Sequence, residues 1–338
     1  MTSSDSPSPT SKSPKIPRNT PHQLAELKRI TTVVADTGDF TKIIQYSPQD
    51  ATTNPSLVLQ AVQSNEYNAM IKEIVDQSSS HDMDTEARIS DVCERLAVRF
   101  GVEILKVIPG RVSTEVDACL SFSSASMIEQ AKRLIQLYES YGVNRDRVLI
   151  KIASTWEGVQ ACRELEKMGI HTNMTLIFNY EQAIACAQAG ATLISPFVGR
   201  ILDWFNKNAP PKEPYTKLSD PGVVSVTRIY KYFKAHKHST IVMGASFRSK
   251  MQILGLAGID ALTISPKLLQ ELEQSTDPME RILSPVFIES DVPRIDVDEQ
   301  TFRWSLNEDA MATEKLAEGI RNFNTDLQKL KDIIRAML

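Results

Sequence analysis

The sequence predicts an α/β chain built as a (β/α)8 barrel, with extra helices and a long C-terminal helix. Short β-branched runs recur eight times between residues 31 and 266, and helical patterns separate most of them. Several runs lack polar/apolar alternation, as expected of parallel strands covered on both faces. The stretch after the first run reads Asp36-Thr37-Gly38-Asp39. It is not the G-x-G-x-x-G turn that an open, doubly wound sheet usually carries there, which favours the closed barrel.

Residues 1–21 are rich in Ser, Thr and Pro and poor in apolar side chains. Such a segment cannot bury enough surface to offset its ordering entropy, so it is expected to be a disordered tail ahead of one barrel domain over 22–338. It has no apolar core of a secretory signal, and the acid at Asp5 weakens a transit-peptide reading. The eight strand candidates are TTVVADTG from Thr31, ATTNP from Ala51, GRVSTEV from Gly110, VLIKIAS from Val148, HTNMTLIF from His171, ATLISPFVG from Ala191, TIVMGAS from Thr240 and ALTISP from Ala261. Helices are expected over 55–77, 84–101, 123–141, 155–168, 179–189, 223–236 and 247–256. Asn179 is placed to cap one start, and Gly169 and Gly190 fall where two helices should stop. Residues 308–338 read as one long amphipathic helix packed outside the barrel or across one end.

Composition bounds the function. Apolar residues are 42% and charged residues 24%, the balance of a globular protein. The net charge of −4 speaks against a nucleic-acid partner, and no apolar run is long enough for a membrane span. Cys93, Cys119, Cys162 and Cys186 form no C-x-x-C pair and are expected as buried, reduced thiols. His22, His81, His171, His236 and His238 show no metal-ligand spacing. The basic-aromatic stretch 230–238 reads as a helix end with a solvated face, and Trp156, Trp204 and Trp304 as core or rim packing.

Active sites of such barrels lie at the C-terminal ends of the strands. Asp36, Asn54 and Glu115 end the first three. Lys151 lies inside the fourth, Asn173 and Thr175 share one face of the fifth, and Ser195 ends the sixth with Arg200 beyond. Ser246 closes the seventh and Arg248 follows. Lys151 is the sharpest of these. Its neighbours Ile150 and Ile152 mark a doubly covered strand, so the side chain points into the barrel, out to the helices, or snorkels to water. Burial penalises a charged amine, and the free amine can attack a ketone to form a Schiff base. Asp36 and Glu115 can move protons in the same cavity, while Arg200 and Arg248 suit a phosphate through their forked donors.

The fragments DATTNPSL (50–57), GRVSTEVDA (110–118), VLIKIASTWEG (148–158), ISPFVGRILDW (194–204) and MGASFR (243–248) resemble the transaldolase family, as does FRWSLNEDAMATEKLAEGIR (302–321). The resemblance runs from about residue 23 to the end. It implies a class I aldolase-type barrel of the pentose phosphate pathway. Such an enzyme moves a dihydroxyacetone unit from fructose 6-phosphate or sedoheptulose 7-phosphate to erythrose 4-phosphate or glyceraldehyde 3-phosphate. It implies Lys151 as the Schiff-base lysine, Glu115 as acid/base through a water, Asp36 as the base at the donor's C4 hydroxyl, and Thr175 as the residue orienting the water. Asn54, Asn173 and Ser195 would bind the sugar, and Arg200, Ser246 and Arg248 the phosphate. No cofactor or metal is implied, because the protonated imine itself withdraws electrons. A cytoplasmic setting is expected, with a homodimer left open. Two rivals remain. One is a metal-dependent barrel isomerase or aldolase, for which no ligand set stands out. The other is a metabolite-binding or scaffold protein on a degenerate barrel, which has no need of a buried amine.

Overall fold

A computed structural model describes residues 21–78, 84–286 and 292–338. The tail expectation over residues 1–20, and His81, lie outside the described residues. All eight expected strands form: β1 (Thr32–Asp36), β2 (Asp50–Thr52), β3 (Val112–Glu115), β4 (Val148–Ala153), β5 (Thr172–Ile177), β6 (Leu193–Pro196), β7 (Ile241–Gly244) and β8 (Ala261–Ile264). They pair in parallel in chain order, and β8 closes on β1 with Val34 opposite Thr263.

Alternation along each strand sorts the interior. Val33, Ile150, Ile152, Met174, Ile194, Val242 and Leu262 face the helix layer and join the main apolar core. Val34, Leu149, Leu193, Met243 and Ala261 point inward and form a second apolar cluster inside the barrel. Two residues further along, the same inward rows carry Asp36, Lys151, Ser195, Ala245 and Thr263. The barrel is thus plugged with hydrocarbon low down and polar at its C-terminal mouth, the layering this fold requires if it is packed and still has a site.

The helices follow the expectations with four differences. The span 55–77 is broken into Pro55–Gln63, a 3-10 turn Asn65–Tyr67 and Asn68–Gln77, because Ser64 leaves the helix and its hydroxyl accepts from Glu66 N. The helix expected to stop at Gly101 runs on to Val107. Gly101 is there for space: a Cβ would lie 1.7 Å from the Tyr138 hydroxyl, which is bonded to Thr114 Oγ1 at 2.6 Å. Short helices over Gln23–Ile30, Phe40–Tyr46, Val198–Asn208 and Pro266–Glu273 were not anticipated. The long C-terminal helix expected over 308–338 forms as Ala310–Arg335, and the fourth difference is a separate helix ahead of it, Glu299–Glu308, with Asp309 between them capping the second. Gly169 and Gly190 do end helices, with φ of 71° and 86°.

The helix Ala310–Arg335 lies across the mouth. Its Leu316, Ile320 and Phe323 pack with Ala153, Leu176, Phe178 and Phe197 from the ends of the strands and the loops beyond. Leu176 is set up for this by a β-bulge: between Thr175 and Ile177 the register with β6 shifts, and Leu176 takes a left-handed φ of 57°. Two smaller expectations fail: Cys119 is exposed, and Trp304 is 60% exposed. No helix among the described residues is long and apolar enough to cross a membrane.

Candidate active site

Lys151 points into the barrel. It is 4% exposed, and its Nζ lies 3.4 Å from Glu115 Oε2 and 3.4 Å from the Thr53 carbonyl to which it donates. The pairing of β3 with β4 places the two residues side by side, Glu115 opposite Lys151. The Glu115 side chain is 3% exposed, and its Oε2 accepts no hydrogen bond among the described residues. Burial pushes the Glu115 carboxyl above its usual range, against the pull of the Lys151 and Arg200 charges.

Asp36 is half-buried by area, yet protein crowds its carboxyl closely. Burial raises it above the ordinary carboxylate range, with Lys151, the Thr52 hydrogen bond and Arg200 opposing. Thr52 Oγ1 donates to Asp36 Oδ1 at 3.0 Å and lies 2.6 Å from Thr263 Oγ1, so β1, β2 and β8 fix the aspartate together. Asp36, Asn54, Lys151, Ser195, Arg200 and Ser246 line one cavity of about 60 Å³, with Thr52, Thr263, Phe197 and Phe323. Larger cavities of about 510 and 650 Å³ lie at the N-terminal end of the barrel and on the outer helical face. Neither is lined by a buried charged side chain.

Asn173 is fully buried and held at both ends of its amide: Nδ2 donates to Ser113 Oγ at 3.0 Å and Oδ1 accepts from Ser195 Oγ. Thr175, two residues on, shares its face, and its buried hydroxyl has no partner among the described residues. Asn54 caps the helix Pro55–Gln63, its Oδ1 accepting from Leu57 N at 3.0 Å. That leaves Nδ2 as the end free of hydrogen bonds among the described residues.

Arg200 sits in the first turn of the helix Val198–Asn208, and its guanidinium carbon is 4.9 Å from the Phe197 ring centroid and 5.5 Å from that of Phe323. Burial, then the nearby Arg248 charge, disfavours its cation, and Nη1 is buried without a partner among the described residues. An anion in the cavity would relieve both conditions. Ser246 follows β7 with a left-handed φ of 60°. Arg248 differs from the simple expectation of a free phosphate ligand. It is exposed, its Nε and Nη2 fork onto Asp203 with Nη2 at 2.6 Å, and only Nη1 turns toward Ser246, at 3.4 Å. Asp203, Thr52, Thr263, Phe197 and Phe323 belong to the site and were not singled out from the sequence. Thr52 carries a usable signal, since it lies two residues before Asn54 in the same run; Thr263 and Phe323 carry none.

The family model for transaldolase/fructose-6-phosphate aldolase matches residues 33–334. The chain belongs to that family. The transaldolase of Marinomonas sp. is 54% identical over 317 residues, spanning 94% of this chain and 99% of its own length. The transaldolase of Saccharomyces cerevisiae is 53% identical over 330 residues, spanning 96% and 97%. The transaldolase of Homo sapiens is 54% identical over 313 residues, spanning 92% and 93%. The resemblance carried by the five strand-end motifs is therefore borne out. The family match reaches from β1 into the helix Ala310–Arg335, so Asp36, Lys151, Arg200 and Phe323 all lie within it.

Proposed function

We propose that this barrel transfers a dihydroxyacetone unit from a ketose phosphate, fructose 6-phosphate or sedoheptulose 7-phosphate, to an aldose phosphate, erythrose 4-phosphate or glyceraldehyde 3-phosphate, through a Schiff base on Lys151. One observation carries the reading: a lysine 4% exposed, facing inward, 3.4 Å from a carboxylate and in one cavity with Asp36 and Arg200. Glu115, whose carboxyl burial pushes up, takes the proton from the Lys151 ammonium and leaves an amine that attacks the donor's C2 ketone. The same proton then leaves with the carbinolamine hydroxyl as water. A water held at the unpartnered Thr175 hydroxyl relays it.

Asp36 takes the proton of the C4 hydroxyl. The C3–C4 bond breaks, its electron pair flows into the iminium to give an enamine, and the aldose phosphate departs. The enamine adds to the acceptor aldehyde, Asp36 returns its proton to the new hydroxyl, and water hydrolyses the imine. A carboxyl raised by burial suits this step, because it is a stronger base than one in water. Borohydride reduction in the presence of fructose 6-phosphate, followed by peptide mapping, tests the reading. A dihydroxyacetone adduct on Lys151 is expected; label on another lysine, or none, overturns it.

Phosphate recognition is assigned to Arg200, Ser246 and Arg248. Arg248→Ala is expected to raise KM for fructose 6-phosphate by at least about tenfold and to lower kcat as well, since phosphate binding also aligns the reacting bond. Fructose, if turned over at all, should lose much less. Equal losses on both donors would mean that the forked pair with Asp203 is structural and Arg248 does not grip phosphate.

The same reading includes a single barrel domain over 22–338, a cytoplasmic setting and a homodimer. Deleting residues 2–18 should leave melting temperature and turnover nearly unchanged, and light scattering should give twice the mass of one chain. A large fall in either property on deletion would show that the tail docks on the barrel, and a one-chain mass would remove the dimer.

A further inference from the structure

The helix Ala310–Arg335 brings one aromatic ring to the mouth of the barrel. Phe323 is 2% exposed and lines the cavity shared by Asp36 and Lys151. Its ring centroid is 5.8 Å from Lys151 Nζ and 5.5 Å from Arg200 Cζ. Arg200 makes no hydrogen bond or ion pair among the described residues, and its Nη1 is buried without a partner. A guanidinium has no polar hold on its orientation there, so the two rings that flank it, Phe197 and Phe323, set where it points. The height of the helix matters to that contact. Gly319 lies one turn before Phe323, and a Cβ there would come within 2.6 Å of Leu176 Cδ2 and 3.3 Å of Arg200 Nη1. Leu176 is fully buried at its left-handed bulge position, so a Cβ at 319 would have to displace packed side chains.

We propose that Phe323 is a positioning residue for anion binding: the face of its ring holds the Arg200 guanidinium toward the cavity, and Gly319 lets the helix come low enough to do it. The inference rests on the sugar-phosphate reading above and adds to it a residue from the far end of the chain. A desolvated cation–ring contact of this kind corresponds to a change in affinity of about tenfold or more.

Steady-state kinetics on fructose 6-phosphate and on fructose test it, with Phe323→Leu, Phe323→Tyr and Gly319→Ala. Phe323→Leu keeps an apolar side chain and loses the ring face. It should raise KM for fructose 6-phosphate about tenfold, with a much smaller change on fructose and a melting temperature close to wild type. Phe323→Tyr restores the face and should recover most of the loss. Gly319→Ala should raise the same KM by lifting the helix, and it carries the test alone if Phe323→Leu does not fold. A wild-type KM in Phe323→Leu, an equal loss on both donors, or a Tyr variant no better than Leu overturns the proposal. Failure of the parent reading looks different: wild-type protein then gives no borohydride-stable adduct on Lys151, whatever Phe323 does.

Discussion

Lys151→Arg is expected to lower kcat by at least about 10⁴-fold, the scale on which removing a covalent nucleophile acts. The substitution keeps a positive charge opposite Glu115, so the ion pair at 3.4 Å has a substitute and the buried carboxyl is not stranded. What it removes is the chemistry. A guanidinium stays protonated and cannot form an imine. Lys151→Met sharpens the comparison. On the proposed mechanism it should also abolish the reaction, but it deletes the charge that opposes the upward push of burial on Glu115, so Glu115 should titrate higher still. Substantial turnover by either variant would overturn the Schiff-base assignment. Circular dichroism melts of both would show whether the loss comes from unfolding.

How much of this was legible in the sequence depends on the range of the contact. Strand parity is a local property, and it carried far. Val148–Ala153 reads V-L-I-K-I-A, and the one charged residue in an unbroken apolar run had to sit on a definite face. The sequence left that face open. The structure puts it inward, because Leu149 below it belongs to the interior cluster and Ile150 and Ile152 face the helices. The helix Val198–Asn208 was hidden for a related reason: P-F-V-G-R-I-L begins as an apolar run continuous with β6 and shows its helical period only from Arg200 onward. Losing that helix meant losing Asp203, which falls one turn after Arg200 and claims Arg248. The contacts of Phe323 with Lys151 and Arg200 were beyond reach altogether. They join residues more than a hundred positions apart, and on its own helix Phe323 reads as one more residue of the apolar stripe.

Asp36→Asn is expected to separate activity from stability. It should lower kcat by roughly 10²–10⁴-fold, the range for loss of a general base, while borohydride still traps substrate on Lys151, because imine formation in the proposed mechanism does not use Asp36. The fold should gain. Burial holds the Asp36 carboxyl above its ordinary range, so the folded chain binds this proton more tightly than the unfolded chain does. Stability then falls as pH rises through that interval, and above it the buried carboxylate is a standing penalty. Asparagine can still accept from Thr52 Oγ1 and carries no charge to desolvate. The melting temperature of Asp36→Asn should therefore exceed that of wild type at pH 8, by about 1.5 °C for each kcal/mol relieved. The gap should open from about pH 4 upward, where an unfolded-state aspartate loses its proton, and vanish below it. A variant less stable than wild type at pH 8 would show that the attraction of Lys151 and Arg200 for the carboxylate outweighs its desolvation. A variant that keeps its cleavage rate would show that another group takes the C4 proton.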